Sequence, residues 1–271
     1  MMTGKKIFFV IGLLGMVFWG IYFWYSKSNQ AIMSPESALS EEVVIPPDPL
    51  VERVTVSGEL ESVSTSASTI KPVAPKSWED VFFTSQAPTG EWAKSEFQNG
   101  CEEASALMVH AWRSGRSYTK DEVKAELIAL ARYQEKQIGQ AVDTDVTDTA
   151  DILLNGYFYI SDYRVIYDFT LEELKQALSE GVVIVPTNGQ ALSNPNFTRP
   201  GPAQHMLVVT GYDAEKKAFI TNDPGTWKGA GFHYPEAVLY GAIREYPTGK
   251  HLSIAGERKA MIIIPPQSAT P

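Results

Sequence analysis

Apolar and polar positions divide this chain into three stretches with different periodicities. From Ile7 to Tyr25 runs a 19-residue segment without a charge, about the length of helix needed to cross a ~30 Å hydrocarbon layer. Residues 26–75 are rich in Ser, Pro, Val and Glu, as in Ile45-Pro46-Pro47-Asp48-Pro49 and Ser62-Val63-Ser64-Thr65-Ser66, and show little helical period. From about Lys76 the period becomes helical. Ala104, Leu107, Met108, Ala111 and Trp112 mark one face of a helix over 101–114, which Gly115 ends. Thr119-Lys120-Asp121-Glu122 is a capping box opening a helix toward Gln137, and Thr170-Leu171-Glu172-Glu173 opens another that Gly181 closes. A short helix is expected over 148–154. Beyond residue 181 the pattern turns to β-branched runs. Strands are expected at 182–185, 205–211, 218–221 and 260–264, the middle two joined through the polar turn 213–217 as a hairpin. Helices first and antiparallel strands later predict an α+β domain.

The boundaries follow. Residues 1–27 read as a transmembrane signal-anchor, with Lys5 and Lys6 before the apolar run and Trp19, Tyr22, Trp24 and Tyr25 at its far end. Bulky Phe23-Trp24-Tyr25 stands where a signal peptidase prefers small residues, which favours an uncleaved anchor with a cytoplasmic N-terminus. Residues 28–75 form an extracytoplasmic linker, with a possible short strand at 51–56. The domain occupies 76–265 and the tail 266–271. The chain has 271 residues, 44% of them hydrophobic, enough for a sizeable core. Its net charge of −9, with no Lys/Arg-rich tract, argues against nucleic acid as a partner and leaves peptides, cell-wall material or small molecules. One cysteine and four histidines make a structural zinc site a poor expectation, and no metal or cofactor is expected. Asp143, Asp145, Asp148 and Asp151 miss the Gly and Glu of a calcium loop and read as a solvated acidic face.

The single cysteine carries the candidate chemistry. Cys101 follows Gln98-Asn99-Gly100 at the start of the first helix, where unpaired N–H groups and the macrodipole lower a thiol's pKa. Glu102 and Glu103 suit a first helical turn but oppose a thiolate, so they are expected to point away. A base must reach the thiol. His110 lies nine residues along the same helix, about 13 Å away at 1.5 Å per residue, and His233 and His251 lie in loop-like contexts. His205 starts a strand, and the partner strand ends in Thr221-Asn222-Asp223-Pro224-Gly225. Either Asp223 or Asn222 then arrives beside His205, but not both, since neighbours on a strand face opposite ways. The Asn- and Pro-rich stretch 187–204 is expected to wall the cleft, with Trp92 and Trp227 as subsite candidates.

Gln86, Asn99-Gly100-Cys101-Glu102, His205 with Val208-Val209-Thr210-Gly211-Tyr212-Asp213, and Asn222-Asp223-Pro224 together resemble the papain-like cysteine peptidases related to bacteriocin-leader peptidases, the peptidase C39-like group. The likeness covers roughly residues 81–264. It implies a papain-like fold with N-terminal helices packed on an antiparallel sheet, with Cys101 as nucleophile, His205 as base, Asp223 as orienting group and Gln86 as oxyanion donor; Gln98 is a rival donor. Many relatives carry Cys-Gly-Pro where this chain has Cys101-Glu102-Glu103, and leader peptidases are fused to a transporter, so leader cleavage is not carried over. The expected function is a membrane-anchored extracytoplasmic hydrolase of peptide or isopeptide bonds, acting on a peptide or cell-wall-associated substrate. The alternatives are a non-catalytic binding module on the same fold and an acyl transferase or amidase.

Overall fold

The computed structural model describes residues 78–250 and 256–267. The anchor, the linker with its strand at 51–56, His251 and the end of the tail lie outside the described residues. Among those described, no helix is long and apolar enough to cross a membrane.

The helical period yields helix α1 (Cys101–Ser114), closed by Gly115 in the left-handed conformation. Helix α2 (Lys120–Ile138) opens on the expected capping box: the Thr119 side chain accepts from Glu122 N, and Glu122 reaches back to Thr119 N. The expected helix at 148–154 is instead a single turn, Val146–Asp148, running into a π-helix, Thr149–Tyr157. Its wider winding shows in the Phe158 N–H, which bonds the Leu153 carbonyl five residues back.

Strand β1 (Arg164–Tyr167) precedes helix α3 (Leu171–Ala177), which starts on the second capping box. Then follow β2 (Val182–Thr187), β3 (His205–Asp213), β4 (Ala218–Asn222), β5 (Phe232–Pro235), helix α4 (Glu236–Ala242) and β6 (Ala260–Ile264). The sheet order is β1-β6-β2-β3-β4-β5, and each neighbouring pair is antiparallel. β1 and β5 were not legible in the sequence: both are four-residue strands at the sheet edges, where half-exposed positions blur the alternation.

The sheet is covered on both faces. Ile184, Met206, Val208 and Ile262 pack with Leu107, Met108 and Leu127 of α1 and α2. Their immediate neighbours Val183, Leu207, Val209 and Ile263 pack with Leu174 of α3 and Leu239 of α4. Period-two alternation thus feeds two separate cores, which explains why β2 and β6 read as unbroken apolar runs. The α+β class holds, with helices on the second face as well as on the first.

Gly181 has a different role from the helix stop expected of it. Helix α3 ends at Ala177, and a Cβ at Gly181 would sit 1.9 Å from the Ile264 carbonyl oxygen. The glycine lets β6 pass against the entry to β2. Gly181→Ala is therefore expected to cost at least about 2 kcal/mol through overpacking against backbone. Gly241→Ala, in α4 where no described atom beyond its chain neighbours and the helix's own backbone comes within 4 Å of the new methyl, should gain about 0.5–1 kcal/mol from helix propensity. Urea midpoints of the two variants check both; equal midpoints would refute the steric role of Gly181.

Candidate active site

β3 and β4 bring the proposed base and its partner together. Pairing runs to Val208 opposite Asn222, so the chain just past β4 lies beside the first residues of β3. The irregularity between Val209 and Gly211 adjusts this register. His205 Nε2 lies 2.8 Å from Asp223 Oδ1, both residues buried. The choice between Asp223 and Asn222 is resolved by face. Asn222 points the other way, its amide donating to the Val81 and Phe82 carbonyls while its oxygen accepts from Gly231 N.

Asp223 collects three further donors. Gly225 N lies 2.9 Å from Oδ1, and Tyr234 Oη and Asn194 Nδ2 lie 2.6 and 3.3 Å from Oδ2. Burial alone would raise this carboxyl. The His205 charge and hydrogen bond, with the Tyr234 and Gly225 donors, outweigh it and hold the pKa below the usual value. When the imidazole is neutral, an ionised Asp223 favours the tautomer with the proton on His205 Nε2 and a free lone pair on Nδ1. Tyr234 and Asn194 were missed in the sequence. Tyr234 sits on an unread edge strand, opposite Phe219, and the period of two places Phe219, Thr221 and Asp223 on one face. Gly225 closes over the ring: a Cβ there would be 2.9 Å from His205 Cε1.

Cys101 begins α1, which has no side-chain cap at its start; its first N–H groups lack intrahelical acceptors. A cavity of about 220 Å³ is lined by Cys101, His205, Gln86, Gln98, Trp92 and Phe197, among others. The stretch 187–204 does wall it, through Phe197, Thr198, Pro202 and Gln204. The Phe197 ring stands edge-on to the imidazole at 5.4 Å. A larger cleft of about 730 Å³ contains none of Cys101, His205, Asp223 or Gln86, so chemistry rather than volume singles out the smaller one. Trp92 borders the site and meets Trp227, a half-exposed residue, at 6.2 Å.

Gln86 is present but occupied. Its Nε2 donates to the Phe97 carbonyl at 2.7 Å and to the Gln98 carbonyl at 3.1 Å, while its backbone N–H bonds the Pro224 carbonyl. It ties the helix entry to the Asp223–Gly225 turn. Neither of the other described histidines lines the cavity. His110 stacks on Phe158 at 4.2 Å, and His233 bonds the Gly231 carbonyl.

Two expectations fail around the thiol. Glu102 does not point away: its Oε2 lies 3.1 Å from Cys101 Sγ, and its Oε1 accepts from Tyr246 Oη at 2.6 Å. Nor is Asp143 part of a solvated face. It is buried, and its carboxylate, the Cys101 sulfur and the Glu102 carboxylate lie within 4.8 Å of one another. Asp145 caps the Val146 turn, and Asp148 and Asp151 accept from Thr248 and Tyr163. The helix-start effect is overridden: burial first, then the Glu102 and Asp143 charges, push the Cys101 thiol up, opposed by a backbone hydrogen bond from Met206. The sequence offers no signal for these contacts, because Glu102, Asp143 and Tyr246 meet only through tertiary packing.

Burial also raises the Glu103 carboxyl, from 4.5 to about 8. A carboxyl whose folded pKa is raised destabilises the fold progressively as pH climbs from the unfolded to the folded value, because the unfolded chain ionises first. Stability is therefore expected to fall between about pH 4.5 and 8. Glu103→Gln should remove much of that slope, leaving a variant more stable than the parent by roughly 1–3 kcal/mol at pH 8. Urea unfolding at both ends of the range measures it; parallel pH profiles would contradict the buried-acid assignment.

With this geometry in place, comparison with known proteins is informative. The profile of the Peptidase C39 like family matches residues 78–242. No curated protein matches the chain. A crystal structure of a candidate C39-like peptidase from Bacillus anthracis aligns over 70% of this chain and 97% of its own, at 16% identity and a TM-score of 0.45. The family match spans more than half of the 271 residues and includes Gln86, Cys101, His205 and Asp223: the chain belongs to the peptidase C39-like family.

Proposed function

We propose that this protein is a thiol peptidase working through Cys101, His205 and Asp223, tethered to the outer face of a membrane by its apolar N-terminal run. The observation that carries the reading is the buried His205–Asp223 hydrogen bond beside a cavity that both His205 and Cys101 line; in a neutral imidazole that bond favours the Nε2 proton and leaves Nδ1 to act as the base. His205 Nδ1 takes the thiol proton, and the sulfur attacks the carbonyl carbon of a peptide bond. The oxyanion is met by the Cys101 backbone N–H at the uncapped helix start. Gln86 joins it by releasing its longer bond, the one to the Gln98 carbonyl. The imidazolium then protonates the leaving amine, and water, deprotonated by His205, hydrolyses the thioester.

Family membership supports peptidase chemistry, and the uncharged run 7–25 supports the tether. A peptide or cell-wall-linked amide fits a net-negative chain with an aromatic-edged cleft better than a nucleic acid does. A second reading, a peptide-binding module on the same fold, is favoured by one observation: the thiol is buried against a carboxyl and held protonated.

Incubation of the full chain with a mixed peptide library, followed by mass spectrometry, separates the two. Cys101→Ala is expected to abolish cleavage. Asp223→Asn, which allows the wrong imidazole tautomer, should lower kcat by roughly 10²–10⁴. Cleavage that survives Cys101→Ala would defeat the peptidase reading, and peptide retention without cleavage by the parent would establish the binding module.

A further inference from the structure

Glu102 stands against the one atom the reaction depends on. Its side chain is fully buried, and its two oxygens have different partners. Tyr246 Oη donates to Oε1 at 2.6 Å. Tyr246 is itself buried, and this is the only bond its hydroxyl makes among the hydrogen bonds of the described residues. Oε1 therefore behaves as a carbonyl oxygen, and a proton on the carboxyl belongs on Oε2; the Cys101 thiol, 3.1 Å away, donates to Oε2 while that oxygen is bare, and the direction of the bond reverses once Oε2 carries the proton.

The surroundings favour that proton. The groups facing Glu102 are Cys101 and Glu103 from α1, Asp143 from the segment after α2, and Tyr246 from the segment after α4; the charged ones among them are acids. Glu103 Oε2 has no hydrogen-bond partner among the described residues. Burial, then Asp143 and Glu103, raise the Glu102 carboxyl well above its ordinary value, outweighing the Tyr246 and Cys101 hydrogen bonds that lower it. A neutral Glu102 exerts no charge on the sulfur, so its share in raising the Cys101 thiol disappears whenever it carries its proton.

We propose that Glu102 acts as a carboxylic acid, donating the Oε2 proton in a hydrogen bond to the Cys101 sulfur and stabilising the thiolate left when His205 removes the thiol proton. No proton leaves Glu102 in this step: the thiol S–H bond breaks, its proton goes to His205 Nδ1, and the electron pair stays on sulfur, facing the Glu102 O–H. A thiol accepts hydrogen bonds weakly, whereas a thiolate accepts a charge-assisted one. The contact thus tightens as charge develops, which is the condition for lowering a barrier. An ionised Glu102 would place two anions about 3 Å apart in a buried site, where little solvent screens their repulsion. The role in catalysis rests on the peptidase reading; the hydrogen bond does not.

The test uses the pH dependence of iodoacetamide alkylation. Cys101 is the only thiol in the chain, so the rate reports it alone in the full protein. Glu102→Gln keeps a donor against the sulfur and should alkylate within about twofold of the parent, whereas Glu102→Leu, close in size but without a donor, should be about tenfold slower near neutrality, one unit of thiol pKa. Tyr246→Phe, which preserves packing, should slow the parent severalfold and leave the Glu102→Gln protein unchanged. Glu102→Gln alkylating about tenfold faster than the parent would show that Glu102 is an anion holding the thiol protonated, and would overturn the proposal. So would superimposable profiles for the parent, Glu102→Leu and Tyr246→Phe. Alkylation needs no substrate, so a parent that cuts no peptide yet shows the expected profiles would end the peptidase reading and leave this contact standing.

Discussion

The hydrogen bond between His205 Nε2 and Asp223 Oδ1 ties the fold to the site. It closes the open end of the β3–β4 hairpin, and Asp223 also gathers Tyr234 from β5, Asn194 from the long loop and Gly225 from its own turn. A buried carboxylate without partners would cost several kcal/mol, so these donors are a condition for Asp223 to be charged at all. The same donors fix the loop and the edge strand that border the cavity. Orientation of the imidazole and shape of the cleft are therefore set by one network. Its loss would disturb both together.

The opposite side of the cavity follows different physics. Glu102, Glu103 and Asp143 are buried close to one another at the start of α1. Nothing in folding favours such a cluster: burial and mutual repulsion both work against ionisation, and each group neutralised this way makes stability depend on pH. Groups that break the rules of a well-packed core tend to gather where function needs them. Here Glu102 and Asp143 lie against the thiol.

How much of this the sequence revealed depended on range. Helices α1 to α3 start where local signals placed them, because capping boxes at Thr119 and Thr170 and the apolar spacing from Ala104 to Trp112 are written within single turns. The β3–β4 hairpin was equally local, and it alone brought Asp223 to His205. The edge strands β1 and β5 were not readable, since four residues, most of them partly exposed, carry too little alternation. The contacts that reshape the thiol's surroundings were not readable either. Glu102 meets Tyr246 across 144 residues of sequence, and Asp143 arrives from a segment whose acidic spacing looked like a solvated surface. Gly181 misled for a similar reason: its place after a helix suggested a cap, while the atom that demands it belongs to Ile264.

The two sides of the cavity can be compared through one variable, the number of donors each carboxyl receives. Asp223 takes hydrogen bonds from four groups, His205, Gly225, Tyr234 and Asn194, and its pKa falls despite complete burial. Glu102 takes two, from Tyr246 Oη and from the Cys101 thiol, but burial and two further acids outweigh them and its pKa rises. Environments that push two carboxyls apart assign them opposite roles. Behind the imidazole an anion is useful, because it favours the imidazolium that forms. Behind the sulfur an anion would be harmful and an acid useful, because the charge forming there is negative. Donors on one side, and burial with neighbouring acids on the other, put each form where the proposed chemistry needs it. This is the physical sense in which a glutamate can follow the nucleophile directly in sequence: its effect on the thiolate is set by the proton that burial, Asp143 and Glu103 keep on it, while Tyr246, by occupying Oε1, directs that proton to Oε2.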